Sequence, residues 1–231
     1  MKKNALIVLG LVMMLVDLYM VFNWVPILKA PGVGLEQLIL YVMVPTAWLA
    51  MLAFVITAIG GIVFLAKKNE KWDMLAQSSA EVGIVFTTLA CAVGAIWAKP
   101  AWGVWWDFGT PRLTTTLILW FIFLAYLLVR GLASEEYRGA VFASVVAIVG
   151  LADIPLIILS TTLWGSVGAM HPKEIVFTGG VDAKQGMLIG ISVITFTVLY
   201  VGLLLLRFSL QRDEIELKKF KESNQTLISE R

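Results

Sequence analysis

Charge is scarce in this chain, and so are the residues that most often carry chemistry. Only 15% of its 231 residues are charged, against 59% apolar, whereas a soluble domain carries roughly a quarter charged residues. There is one cysteine, Cys91, and one histidine, His171. A single cysteine excludes a disulfide framework and any CxxC or CxxCH motif. Its apolar setting reads as a small core hydrophobe, because a reactive thiol needs exposure and a depressed pKa. A single histidine excludes a bis-histidine site built within the chain, and with it the paired intramembrane histidines of an electron-transfer b-type cytochrome. Linkers, low-complexity tracts and internal repeats are also missing, so one compact domain is expected. The net charge of +2 gives no reason to invoke nucleic acid.

What the chain does contain is long apolar sequence. Six runs approach the roughly 20 residues needed to cross a bilayer: Ala5–Val25, Leu38–Ala66, Val82–Ala98, Leu113–Val129, Ala140–Leu163 and Met187–Leu206. Runs this long must be helical in lipid, where backbone groups find no water, and the short alternating segments of a β-barrel are absent. The expected fold is an all-α membrane protein, a six-helix transmembrane bundle over 1–210 with a charged tail over 211–231. Alternating spans place 13 Lys and Arg residues on one side and 5 on the other. Cytoplasmic loops are enriched in such residues. Both termini are therefore expected in the cytoplasm, and the loop between helices three and four outside a cytoplasmic (inner) membrane. Lys2 and Lys3 precede a first run too long for a signal peptide, which reads as a retained helix. The tail RFSLQRDEIELKKFKE reads as a short charged helix, solvated or lying against lipid head groups or a partner.

The outer connection WAKPAWGVWWDFGTPRLT, residues 97–114, holds four tryptophans within ten positions: Trp97, Trp102, Trp105 and Trp106. An interfacial belt explains single tryptophans, at both membrane faces, but not this cluster on one side. Such rings suit a flat apolar ligand at the membrane boundary, a partner's transmembrane segment, or anchorage in head groups. Lys99 and Arg112 bracket the cluster; they can hold carboxylates or snorkel to lipid phosphate. His171 lies in the next outer loop, as a surface residue or a haem-iron ligand, and Met43, near the outer start of helix two, is either core filling or a partner ligand. Asp17 and Asp153 fall inside spans, where carboxylates are costly and suggest function. Glu81 reads as a helix-start residue near the cytoplasmic edge.

The segment SSAEVGIVFTTLACAVGAIWAKPAWGVWWDFGTPRLTTTLILW, together with YVMVPTAWLAM and LADIPLIILSTTLWGSVGAMHP, resembles the tryptophan-rich WWD region and its surroundings in the CcmC family (haem exporter protein C of cytochrome c maturation). The resemblance implies that the outer loop lies over a b-type haem carried as cargo, and that the haem passes to a periplasmic CcmE-like chaperone. It implies work beside CcmA- and CcmB-like ABC transporter subunits and a small CcmD-like protein, with no enzymatic step by this chain. Trp97, Trp102, Trp105, Trp106 and Asp107 then match the haem platform, Lys99 and Arg112 are candidates for the haem propionates, and His171 matches an axial histidine. Two departures stand out. Met43 replaces the family's other axial histidine, and WW-DFGTP-RLT is one residue longer than WW-x-WD-x-RLT. Other function classes are a membrane permease subunit built around Asp17 and Asp153, and an electron-transfer b-type cytochrome.

Met43 admits three states of the iron: His/Met ligation, a position left open for another ligand, or binding by the platform and His171 alone. His/Met ligation predicts that Met43→Ala changes the optical spectrum of the haem-loaded protein; an unchanged spectrum removes Met43 from the iron.

Overall fold

The computed structural model describes residues 2–25, 35–133, 135–163 and 183–229. Among them there is no strand, and six helices are long and apolar enough to cross a membrane. In chain order the elements are α1 (Lys2–Asn23), a short 3-10 helix (Leu35–Ile39), α2 (Leu40–Lys67), α3 (Glu70–Trp102), α4 (Pro111–Leu132), α5 (Glu136–Gly150), α6 (Asp153–Leu163) and α7 (Ala183–Ser229). The α5–α6 pair makes one span, Glu136–Ser160. Six alternating spans bring the start of α1 and the end of α7 to one end of the bundle, called here the basic end. Trp24, Trp97, Trp102, Trp105 and Trp106 gather toward the other end.

Local chemistry sets the boundaries. Between α2 and α3 only Lys68 and Asn69 intervene. Lys68 adopts a left-handed conformation (φ 51°) and its N–H closes α2 on the Phe64 carbonyl, while the Asn69 side chain accepts the Lys71 N–H and caps α3. Glu70 and Asp73 in the first turn of α3 suit the positive end of its dipole. The connection AKKNEKWD is thus almost wholly helix, and α3 starts far earlier than its apolar run. Glu81 is consequently not a helix-start residue; it sits well inside α3, paired with Arg207. The expected single helix over 140–163 is likewise two. Pro155 has no N–H and its ring would collide with the Leu151 carbonyl in a continuous helix, so the chain breaks at Leu151 and Ala152 and restarts at Asp153. At the far end, α7 continues without a break from the apolar span through the charged tail to Ser229.

The core is built around α2, which packs on α3, α5 and α7, while α1 leans chiefly on α7. Leu49, Ala53, Phe54, Phe123, Tyr126 and Ala143 are fully buried there, and the Phe54 and Phe123 rings meet edge to face at 5.0 Å. Close approach needs small residues, as is common between helices in lipid. A Cβ on Gly83 would fall 2.8 Å from the Ala53 Cβ and 2.6 Å from Phe123 Cζ, so no larger residue fits without displacing α2 or α4. Polar side chains crosslink the same helices. Ser79 donates to the Ala53 carbonyl and meets the Tyr200 hydroxyl at 2.8 Å. Asp17, buried in α1, accepts from Ser192 at 2.8 Å.

At the basic end a continuous polar network joins α3, α4 and α7. Arg130 binds Asp73 through two bonds of 2.5 and 2.6 Å and donates to Gln77 at 2.6 Å. Gln77 donates to Glu81, which also takes Arg207 and Gln211. Both members of the Arg130–Asp73 pair have side chains only 12% exposed. Removing one partner from such a pair leaves a stranded charge and costs about 3–5 kcal/mol; an exposed pair contributes about 0–1 kcal/mol. Asp73→Ala is therefore expected to lower the unfolding temperature in detergent far more than Glu135→Ala, which breaks only the exposed Arg138–Glu135 pair. Equal shifts would refute the structural role of the network.

Candidate functional site

The tryptophan cluster is built half on a helix end and half on a turn. The 97–110 region does not begin a loop at Trp97: α3 runs on through Trp102, so Trp97 and Trp102 belong to its last turns. Their rings meet edge to face at 5.2 Å, and Trp97 is only 8% exposed. This pair packs the end of α3 into the bundle. Pro100 deprives the last turn of a donor, and Gly103, at φ 78°, ends the helix in the left-handed region that favours glycine. The next residues project outward. Val104 is 46%, Trp105 60% and Phe108 71% exposed, while Trp106 is half-buried with its ring 6.2 Å from Phe108. The Trp106 indole N–H is sealed from solvent and has no partner among the described residues.

The return to α4 is fixed by the DFGTP tail that departs from the family pattern. Asp107 Oδ1 accepts the Gly109 N–H at 2.9 Å, Oδ2 accepts the Thr110 hydroxyl at 2.7 Å, and the Asp107 carbonyl accepts the Thr110 N–H at 3.2 Å. An aspartate bonding its own backbone two residues on is a self-contained turn. Pro111 then opens α4 at the position where its missing N–H costs nothing. Thr114 ties the turn down by donating to the Phe108 carbonyl at 2.9 Å. Both Asp107 oxygens thus serve the turn. Sequence reasoning grouped Asp107 with the platform and missed Thr110, although Asp, Gly and Pro so spaced are turn chemistry.

The two cations of the cluster differ. Lys99 Nζ donates to the Gly103 carbonyl at 2.9 Å and lies 5.9 Å from the centre of the Trp105 ring. Arg112, half-buried in the first turn of α4, has no hydrogen-bond or ion-pair partner for its guanidinium among the described residues. Met43 is half-buried in the first turn of α2, directly after the 3-10 helix that touches α3, so it stands at the same end of the bundle. His171 lies outside the described residues. Of the intramembrane acids, Asp17 is engaged by Ser192. Asp153 opens α6 with one buried oxygen unpartnered among the described residues. Cys91 is half-buried in α3.

A further cation–π pair, Lys184 over Trp24 at 5.8 Å, adds to the aromatic and cationic character of this end. A cavity of ≈ 450 Å³ lies at the opposite, basic end, beside Asp73, Gln77, Arg130 and Lys218. Its charges are largely matched to one another, as in Arg130–Asp73 and Lys218–Glu136. The tryptophan end is a cap with exposed rings and a guanidinium unmatched among the described residues, able to take a flat apolar body that carries carboxylates.

The hydroxyl of Thr110, and after it the Gly109 N–H, hold the Asp107 carboxyl below its usual range. A carboxyl depressed in the folded chain contributes to the turn above its unfolded value of about 3.9, and that contribution is lost as pH falls through the folded value. The turn is therefore expected to stay closed at neutral pH and loosen only in acid. Thr110→Val should move the transition upward in pH, read by Trp106 fluorescence; an unshifted transition would show that Thr110 does not set it.

The profile of the CcmC family, heme exporter protein C, matches residues 2–226. A heme exporter protein C from Bradyrhizobium diazoefficiens is 31% identical over 172 residues, covering 74% of this chain and 64% of that protein. A ccmC-like mitochondrial protein of cytochrome c biosynthesis from Marchantia polymorpha is 33% identical over 161 residues, covering 70% of this chain and 66% of that one. The Rhodobacter capsulatus heme exporter protein C is 29% identical over 198 residues, with coverage of 83% and 78%. The chain spans about two-thirds of the length of the first two of these relatives. With the match running almost from end to end and the six helices to support it, this chain belongs to the CcmC family of heme exporter proteins.

Proposed function

We propose that this chain binds haem at its tryptophan end and presents it, outside the cytoplasmic membrane, for assembly of c-type cytochromes. The observation that carries the reading is the pairing of exposed aromatic surface, Trp105 foremost, with the Arg112 guanidinium, which has no partner among the described residues. Haem is flat and apolar with two carboxylates at one edge, and the cap offers ring faces and a planar bidentate donor. The edge-to-face pair Trp97–Trp102 stiffens the end of α3 beneath it. In this reading His171 would hold the haem iron and Met43 would be its second ligand; a thioether in place of histidine would raise the iron potential. The haem is b-type cargo, held without a covalent bond, and no group of this chain performs covalent chemistry on it.

The excess of Lys and Arg at the basic end supports the orientation, with both termini in the cytoplasm and the cap outside. An exposed cap suits a carrier that must release its cargo, because an exposed ring face can be shared with a receiving protein before the haem leaves. The partners in this reading are a CcmE-like chaperone, CcmA- and CcmB-like ABC transporter subunits and a CcmD-like small protein.

Titration of the purified full-length chain with haemin tests the reading. A Soret band of one haem per chain is expected, lost or strongly weakened in His171→Ala and passed to a CcmE-like acceptor on mixing. A chain that gives no Soret shift at micromolar haemin overturns it.

A further inference from the structure

Lys99 does something other than what its charge first suggests. Beside Arg112 it looks like a second carboxylate partner, yet its ammonium is already committed. It donates to the carbonyl of Gly103, the residue that ends α3, and it lies over the ring of Trp105 two residues further on. A lysine bonding a terminal carbonyl favours the helix end and complements its dipole. A cation within about 6 Å of an indole centre is drawn to the ring face. One ammonium therefore makes both contacts at once, linking the last turn of α3 to the most exposed tryptophan of the cap. This matters because little else in the described structure holds Trp105. It is 60% exposed, follows a left-handed glycine, and stands apart from the edge-to-face pair of Trp97 and Trp102.

We infer that Lys99 is a positioning residue: it fixes the plane of the Trp105 ring against the end of α3, so that the ring is set before cargo arrives, and Arg112 carries the carboxylate recognition of the cap. A ring ordered in advance loses less rotational freedom on binding, which is how preorganisation raises affinity. The inference rests on the haem reading above for the identity of the cargo, but its geometry is a property of the unliganded chain.

The test uses two probes on the full-length chain in detergent: haemin, and haemin dimethyl ester, which has the same ring and iron but no free carboxylates. Lys99→Met is expected to weaken both probes alike, by about threefold to tenfold, the span expected for one exposed cation–π contact and one hydrogen bond. Lys99→Arg should restore most of the affinity, because guanidinium also stacks on indole. Arg112→Gln should weaken haemin and leave the ester nearly unchanged. In a Trp105→Phe background, which weakens the indole face, Lys99→Met should cost distinctly less than in the native chain, since contacts that act through one another are not additive. A Lys99→Met loss that vanishes with the ester makes Lys99 a carboxylate contact and overturns the inference, as does full additivity with Trp105→Phe. If the native chain binds neither probe, the haem reading falls by itself. The positioning role is then read without ligand, from the fluorescence difference between native and Trp105→Phe chains. Lys99→Met must change that difference, and an unchanged one overturns the inference.

Discussion

In hydrocarbon, every backbone N–H and C=O must find a partner within the protein, and a single segment can supply its own only as a helix. The rest of the structure follows from that requirement. It makes each apolar run a helix and confines irregular backbone to the bundle ends, with the break at Leu151 and Ala152 the one interruption among the described spans. That interruption is local, because Leu151 and Ala152 still bond back to the Ala147, Ile148 and Val149 carbonyls. Elsewhere among the described residues, left-handed or turn geometry appears where helices stop, at Lys68, at Gly103 and through the Asp107 turn.

The two ends use this freedom differently. At the basic end, long side chains of α3, α4 and α7 meet across the packed helices, and the charges neutralise one another through Asp73, Arg130, Glu81 and Arg207. Such a network holds helices in register and leaves little unmatched charge. At the tryptophan end the connection between α3 and α4 is longer, and its residues divide into those that hold and those that face outward. Trp97, Trp102, Asp107, Thr110 and Thr114 are occupied with one another or with the backbone. Trp105, Phe108 and Arg112 keep surface or charge unspent. A binding surface at a membrane boundary needs both groups, because an exposed aromatic loop without an internal frame would collapse into the head groups.

Much of this was legible in the residues themselves. Six spans, the absence of strands, and the concentration of tryptophan between the third and fourth helices all follow from hydropathy and spacing. Hydropathy misjudged the extents, however, because it averages over a helix's faces. The first turns of α3 are polar on the side that meets Arg130 and Gln211, so Glu70–Glu81 lowers the apolar score while remaining helix. The same averaging hid the continuation of α7 beyond Leu206, where Arg207 and Gln211 point at α3. Pro155 marks the α5–α6 break, yet a proline in an apolar run can kink a helix or end it, and the local sequence does not distinguish the two.

The sequence by itself determined the class of molecule, the end at which its aromatic residues gather, and the family to which it belongs, since each depends on residue type and order along one chain. The tertiary structure decided which member of each like pair is free. Arg112 and Lys99 carry the same charge at neighbouring ends of two helices, yet Lys99 is held by Gly103 and Trp105 while the Arg112 guanidinium meets no acceptor among the described residues. Trp97 and Trp105 are the same residue eight positions apart, yet one is buried and the other exposed. Those differences arise from where α3 ends and how α4 returns beside it, and backbone geometry in three dimensions, unlike composition, assigns each side chain its neighbours.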